Sequence, residues 1–191
     1  MVRRQKKRNL DAALERSFAE QVPVDVWHEA DGEPMGAAVL GLGRKWVLFA
    51  LLVDGVLPNG HRVVRRRTIR RAKVSPLMNA HLRDLGVVPL PVPEPAINLG
   101  RTRDVLDSVS AGHRAFSVHR DEISPNTYLM GSPIEWCRRS FWFLTVDPKA
   151  RWERTMTRIR LRDVTQVAFG SAYETAILAT AGPLPERSNP S

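Results

Sequence analysis

Apolar and polar positions alternate through two stretches of the chain, about Val22 to Val74 and about Arg114 to Phe169. A period of two predicts strands with one buried face. Asp31-Gly32, Asp54-Gly55 and Pro58-Asn59-Gly60 punctuate the first stretch with hairpin signals. The longest apolar run, Trp46 to Val53, is the length of a strand. Helical spacing brackets these regions. Asn9 is placed to cap a helix over Asp11 to Phe18, with Leu10, Leu14 and Phe18 four apart on one face. Further helices are expected at about Leu77 to Leu82, Arg101 to Val109 and Ala172 to Ala181. Between the halves lies Val88-Pro89-Leu90-Pro91-Val92-Pro93-Glu94-Pro95, whose alternate prolines suit neither a helix nor a central strand. It reads as a stiff extended linker, or as a docking motif for a partner's aromatic groove.

Both halves thus read helix, several strands, short helix. Adding 95 to residue numbers between 35 and 74 aligns them without a gap. Met35-Gly36 falls on Met130-Gly131, Arg44 on Arg139, and Trp46, Leu48 and Phe49 on Phe141, Phe143 and Leu144. Val64-Arg65 falls on Ile159-Arg160, and Arg67 on Arg162. This is the pattern of an internal duplication. The expected parts are a basic tail (1–8), a first unit (9–83), a Pro-rich linker (84–99), a second unit (100–182) and a tail (183–191).

Each unit reads as a strand, a strand bent at Gly36 or Gly131, a long apolar strand, a turn, a strand and a tightly linked short strand. The expected fold class is mainly β with short flanking helices, as two tandem small bent-sheet barrels of Sm-like or SH3-like type. With its leading helix and the steps Val64-Arg65-Arg66 and Ile159-Arg160-Leu161, the layout resembles the Sm-like family of small RNA-binding barrels. The family's closing glycine is missing from both steps, and Asp54-Gly55 and Asn59-Gly60 stand only loosely where its base-contacting pair would be. The resemblance implies RNA as a partner and strand edges as a route to homo-oligomers.

Charge changes this picture by making the halves unequal. Of the formal +9, residues 1–83 carry +8 and residues 84–191 carry +1. The densest run is Arg62, Arg65, Arg66, Arg67, Arg70, Arg71 and Lys73, free of acids, and the tail adds Arg3, Arg4, Lys6, Lys7 and Arg8. Arginine's planar fork of donors grips phosphate in pairs, and such density favours a polyanion. The same run also suits a solvated strand edge guarded against aggregation. In the second half Arg158, Arg160 and Arg162 are opposed by Asp163.

Remaining residues narrow the chemistry. Trp46 and Trp142 fit a core, whereas Trp152, if exposed, is the preferred base-stacking candidate. His113 and His119 read as a surface pair, with no second ligand at metal spacing. One cysteine, Cys137, excludes an internal disulfide. There is no nucleophile elbow, phosphate-cradling glycine loop or dinucleotide fingerprint, so neither catalysis nor a cofactor is expected. No run is long enough for a membrane helix and no leader follows the basic start, which reads as cytoplasmic. The expected function is RNA binding through the first unit. The alternative is an adaptor of small-barrel type that binds a protein partner.

Overall fold

The computed structural model describes residues 2–28, 32–54, 56–75, 80, 82–125 and 127–185, with side chains from residue 8 onward. The expected helix over 77–82, the turns at Asp31-Gly32 and Asp54-Gly55, and most of the final tail fall wholly or partly outside these residues. Helix α1 (Val2–Glu20) leads into β1 (Val24–His28), β2 (Met35–Leu42), β3 (Trp46–Val53) and β4 (Leu57–Arg65). A 3-10 turn over Arg66–Thr68 joins β4 to β5 (Ile69–Val74). The second half runs α2 (Thr102–Gly112), β6 (Phe116–His119), β7 (Tyr128–Trp136), β8 (Ser140–Val146), β9 (Trp152–Arg160), β10 (Gln166–Phe169) and α3 (Ala172–Ala181).

The ten strands of the described residues join one open sheet in the order β5-β1-β2-β3-β4-β10-β6-β7-β8-β9, with antiparallel pairing throughout. The fold is therefore mainly β. The two halves share one continuous sheet that is not closed, in which β4 gives its outer edge to β10 rather than to β5. Gln166 to Phe169 pair with Val64 to His61 across that junction. The order β5-β1-β2-β3-β4 recurs as β10-β6-β7-β8-β9. Hydrogen-bonded positions recur too: Gly43 N donates to Trp46 O as Cys137 N does to Ser140 O, and Arg66 N donates to Lys45 O as Leu161 N does to Arg139 O. The ladders set the halves 94 residues apart along β2 and β3, where matching the sequence suggests a uniform 95. Trp46 opposite Arg65 corresponds to Ser140 opposite Arg160. β9 absorbs the difference, with one more residue between Trp152 and Met156 than β4 has between Pro58 and His61.

β3 and β4 form a wall between two cores. Trp46, Leu48 and Val63 face one core with Phe116, Phe141, Phe143, Val167, Phe169 and α2. Val47, Phe49 and Val64 face the other with Leu14, Val24, Val26 and Ile69. Successive strand residues point to opposite faces, so a strand buried on both sides has to be apolar throughout. That accounts for the unbroken run from Trp46.

Two expectations about the helices and the linker are revised. α1 starts well before Asn9, and its buried face is Leu14 and Ser17, while Phe18 is exposed. The Ser17 hydroxyl donates to Val22 O (2.7 Å) and accepts from Val39 N (3.0 Å), a polar tie that apolar spacing cannot reveal. The proline segment is not a free spacer. Leu90 is buried against Ala38, Ala50, Leu52 and Leu82, and Ile97 and Leu99 pack on the first-named core. The Val88–Pro89 and Glu94–Pro95 peptides are cis.

Candidate nucleic-acid interface

The loops at one end of each half converge on a hollow. In the first half the β2–β3 loop supplies Arg44, the β4–β5 turn supplies Arg66 and Arg67, and the start of β5 supplies Arg70. These join Leu10, Asp11 and Ile69 around a space of about 630 Å³. The turn is held by Arg66 N bonding to Lys45 O, and Thr68 is buried with its hydroxyl on Arg65 O (2.8 Å). Two of the arginines meet acids. Arg66 donates to Asp11 Oδ1 (2.8 Å) from half-buried positions, and exposed Arg67 donates to Glu122 Oε1 (2.6 Å).

The basic run is not one face. Arg65 points across the junction, donating to Val164 O, Leu161 O (2.9 Å) and Thr102 Oγ1 (3.1 Å), with its guanidinium 4.9 Å from the Trp46 ring centre. It ties the halves together. Arg62 turns towards Gln166 Oε1 (3.4 Å) in a separate polar cleft. Arg71 lies over Trp27 at 4.6 Å, on β5 with exposed Lys73. Arg8 is exposed on α1; the side chains of Arg3, Arg4, Lys6 and Lys7 lie outside the described residues, although their backbone is helical. The hollow thus gathers Arg66, Arg67 and Arg70 from the expected set and adds Arg44.

The second half has a larger hollow at the same place in its strand order, about 940 Å³, lined by Arg138, Arg139, Ser140, Arg158, Arg160, Leu161 and Arg162. Of these, Arg158, Arg160 and Arg162 are the arginines that Asp163 opposes in the sequence, which weakens the phosphate signal there. The signal that could have found them was the recurrence of Arg44 and Arg67 in the repeat.

A buried polar network at the junction escaped sequence reading altogether. Asp121, in the loop between β6 and β7, is buried; its carboxylate accepts from Thr165 Oγ1 and Gln166 Nε2 (3.1 Å). His28 Nε2 lies 2.6 Å from Thr68 Oγ1 and 3.8 Å from Asp121 Oδ2. His119 is no surface residue. Burial, with Arg62 nearby, pushes it down to about 4. His61 and His113 are also lowered, chiefly by burial; the His61 ring stacks on Phe169, and the His113 ring meets it at a tilt. Glu174 is buried while accepting from Ser117 Oγ (2.7 Å) and capping α3 through Ser171 N (3.1 Å).

Trp46 is in the core, but Trp142 is half-buried, with Arg158 5.9 Å from its ring centre. Trp152 is half-buried and its indole nitrogen is enclosed, which sets it apart from an open stacking platform. Among the described residues no group of His, Cys, Asp or Glu is arranged to hold a metal, and no helix is long and apolar enough to cross a membrane. No protein-family model, curated protein or solved structure matches the chain.

Proposed function

We propose that the protein is a non-catalytic RNA-binding module of tandem Sm-like type, arisen by internal duplication, in which arginines at the loop ends meet phosphates. The observation that carries this reading is the first hollow, where Arg44 of the β2–β3 loop, Arg66 and Arg67 of the β4–β5 turn and Arg70 of β5 converge. A concave site between loops suits a single strand, whose backbone can follow it, better than a rigid duplex. The recurrence of strand order, loop hydrogen bonds and arginine positions in both halves supports the duplication and the family resemblance.

Fluorescence anisotropy with a short single-stranded RNA tests it. Three to four phosphate contacts give a plot of log affinity against log salt with a slope of about −2 to −3. The triple variant Arg44→Glu/Arg67→Glu/Arg70→Glu should weaken binding and flatten that slope. Arg65 is left intact, because its replacement would loosen the junction itself. Salt-independent or absent binding would refute the proposal. Capture of a protein partner that survives nuclease treatment would favour an adaptor.

A further inference from the structure

Resting on the RNA-binding reading, we infer that the second half carries its own phosphate site in the hollow between the β7–β8 and β9–β10 loops, and that it is the better of the two.

Formal charge points the other way, with +8 in the first half against +1 in the second. Charge counted along a chain is not charge available in space. In the first hollow Asp11 is part of the lining and takes Arg66, while Glu122 reaches over from the second half to take Arg67. A phosphate entering there has to displace carboxylates already bonded at 2.8 and 2.6 Å. Among the described residues no acid lines the second hollow. Arg162 pairs with its neighbour Asp163 at 3.4 Å, and Arg158 donates to Ser140 Oγ at 3.0 Å. Arg138, Arg139 and Arg160 are exposed, and their guanidinium groups have no ion-pair or hydrogen-bond partner among the described residues.

The backbone holds these three together. Leu161 N donates to Arg139 O (3.0 Å), which fixes the two loops against each other as Arg66 N and Lys45 O do in the first half. Where the first half has Arg66, this half has Leu161, so the ring of arginines surrounds an apolar floor. The preceding helix also behaves differently. α1 puts Asp11 into the first hollow, whereas α2 turns Arg103 over Trp136 (4.5 Å) and pairs it with Asp107 (3.3 Å) on the same helix. Three unopposed guanidiniums around a hollow of about 940 Å³ fit consecutive phosphates of a single strand, with sugar or base against Leu161.

The test compares two triple variants of the full chain, Arg138→Gln/Arg139→Gln/Arg160→Gln and Arg44→Gln/Arg67→Gln/Arg70→Gln. Anisotropy with a single-stranded RNA and calorimetry with inorganic tripolyphosphate are the readouts, and thermal unfolding checks the fold. The second-hollow variant should bind RNA at least tenfold more weakly, with a salt slope reduced by about 2, the loss of three contacts. It should also lose tripolyphosphate, and the first-hollow variant should lose less of both. RNA binding that survives in the second-hollow variant and fails in the first overturns this inference and leaves the proposed function standing. If the unmodified chain ignores RNA but binds tripolyphosphate through Arg138, Arg139 and Arg160, the site stands and the RNA reading falls. Binding of neither probe defeats both.

Discussion

The guanidinium of Arg65 shows how one residue type serves two ends. It lies in the densest basic run, yet its donors are used on Val164 O, Leu161 O and Thr102 Oγ1, all in the other half. Burial, with Arg67 alongside, lowers its pKa, but an arginine stays charged regardless. His119 makes the opposite use of burial. Enclosed beside Arg62, with Asp121 and His28 also facing it, it keeps its neutral form in the fold down to about 4. An unfolded chain takes up that proton near 6.5. Below 6.5 the unfolded state therefore binds more protons than the native state, and stability falls with pH until the native histidine titrates as well. The loss is about 2 kcal/mol at pH 5, and His61 and His113, lowered in the same sense, add to it. Urea unfolding at pH 7.5, 6 and 5 should trace this decline, and His119→Gln should flatten it. A native stability level from 7.5 to 5 would contradict the buried neutral ring.

Single elements carry the next level of constraint. Gly131 on β7 sits so close to β8 that a Cβ there would stand 2.0 Å from Leu144 O and 2.9 Å from the Thr145 Cα. These are backbone atoms, which cannot move aside as a flexible side chain can. Gly131→Ala should therefore separate β7 from β8 and cost at least ~3 kcal/mol, read as a lowered unfolding midpoint. A midpoint within a degree of the parent would show that the pair relaxes freely. The sequence marks this glycine as a bend, whereas the ladder irregularity lies between Pro133 and Glu135 and the glycine serves close approach; the Ala172–Ala181 helix and the run from Trp46 were legible. Local signals sufficed there, because period and turn chemistry act over a few neighbours. Elements whose partners are remote in sequence were not legible. The proline segment looks like a spacer until Leu90 meets Leu52 and Leu82, and Asp121 gives no local signal of burial until Thr165 and Gln166 close over it. The arginine hollows were half legible. Residue type and density pointed to phosphate chemistry, but which guanidiniums are opposed depends on Asp11 and Glu122, each 55 residues from its partner.

The whole molecule is one open sheet with two unlike edges, and their charge bears on what the chain does with other copies of itself. Inside the chain β4 accepts β10 along an apolar seam of Val63, Val64, Val167 and Phe169. The free edges are β9, the counterpart of β4, and β5, the counterpart of β10. The same pairing between copies would extend the sheet head to tail. Side chains oppose it. In that register exposed Arg70 on β5 would stand opposite exposed Arg160 on β9 with Arg158 on the same face, while Arg71 and Lys73 add positive charge along the same edge, and like charges across a ladder repel. The free chain should accordingly sediment as a 21.5 kDa monomer at low salt. Reversing one edge with Arg70→Glu/Arg71→Glu/Lys73→Glu turns repulsion into attraction. That variant should self-associate with rising concentration and come apart again as salt screens the contact. If it stays monomeric under the same conditions, charge is not what keeps the edges apart. If the unmodified chain already associates at low salt, the edges pair in spite of their charge, and the guarding role assigned to these arginines is wrong.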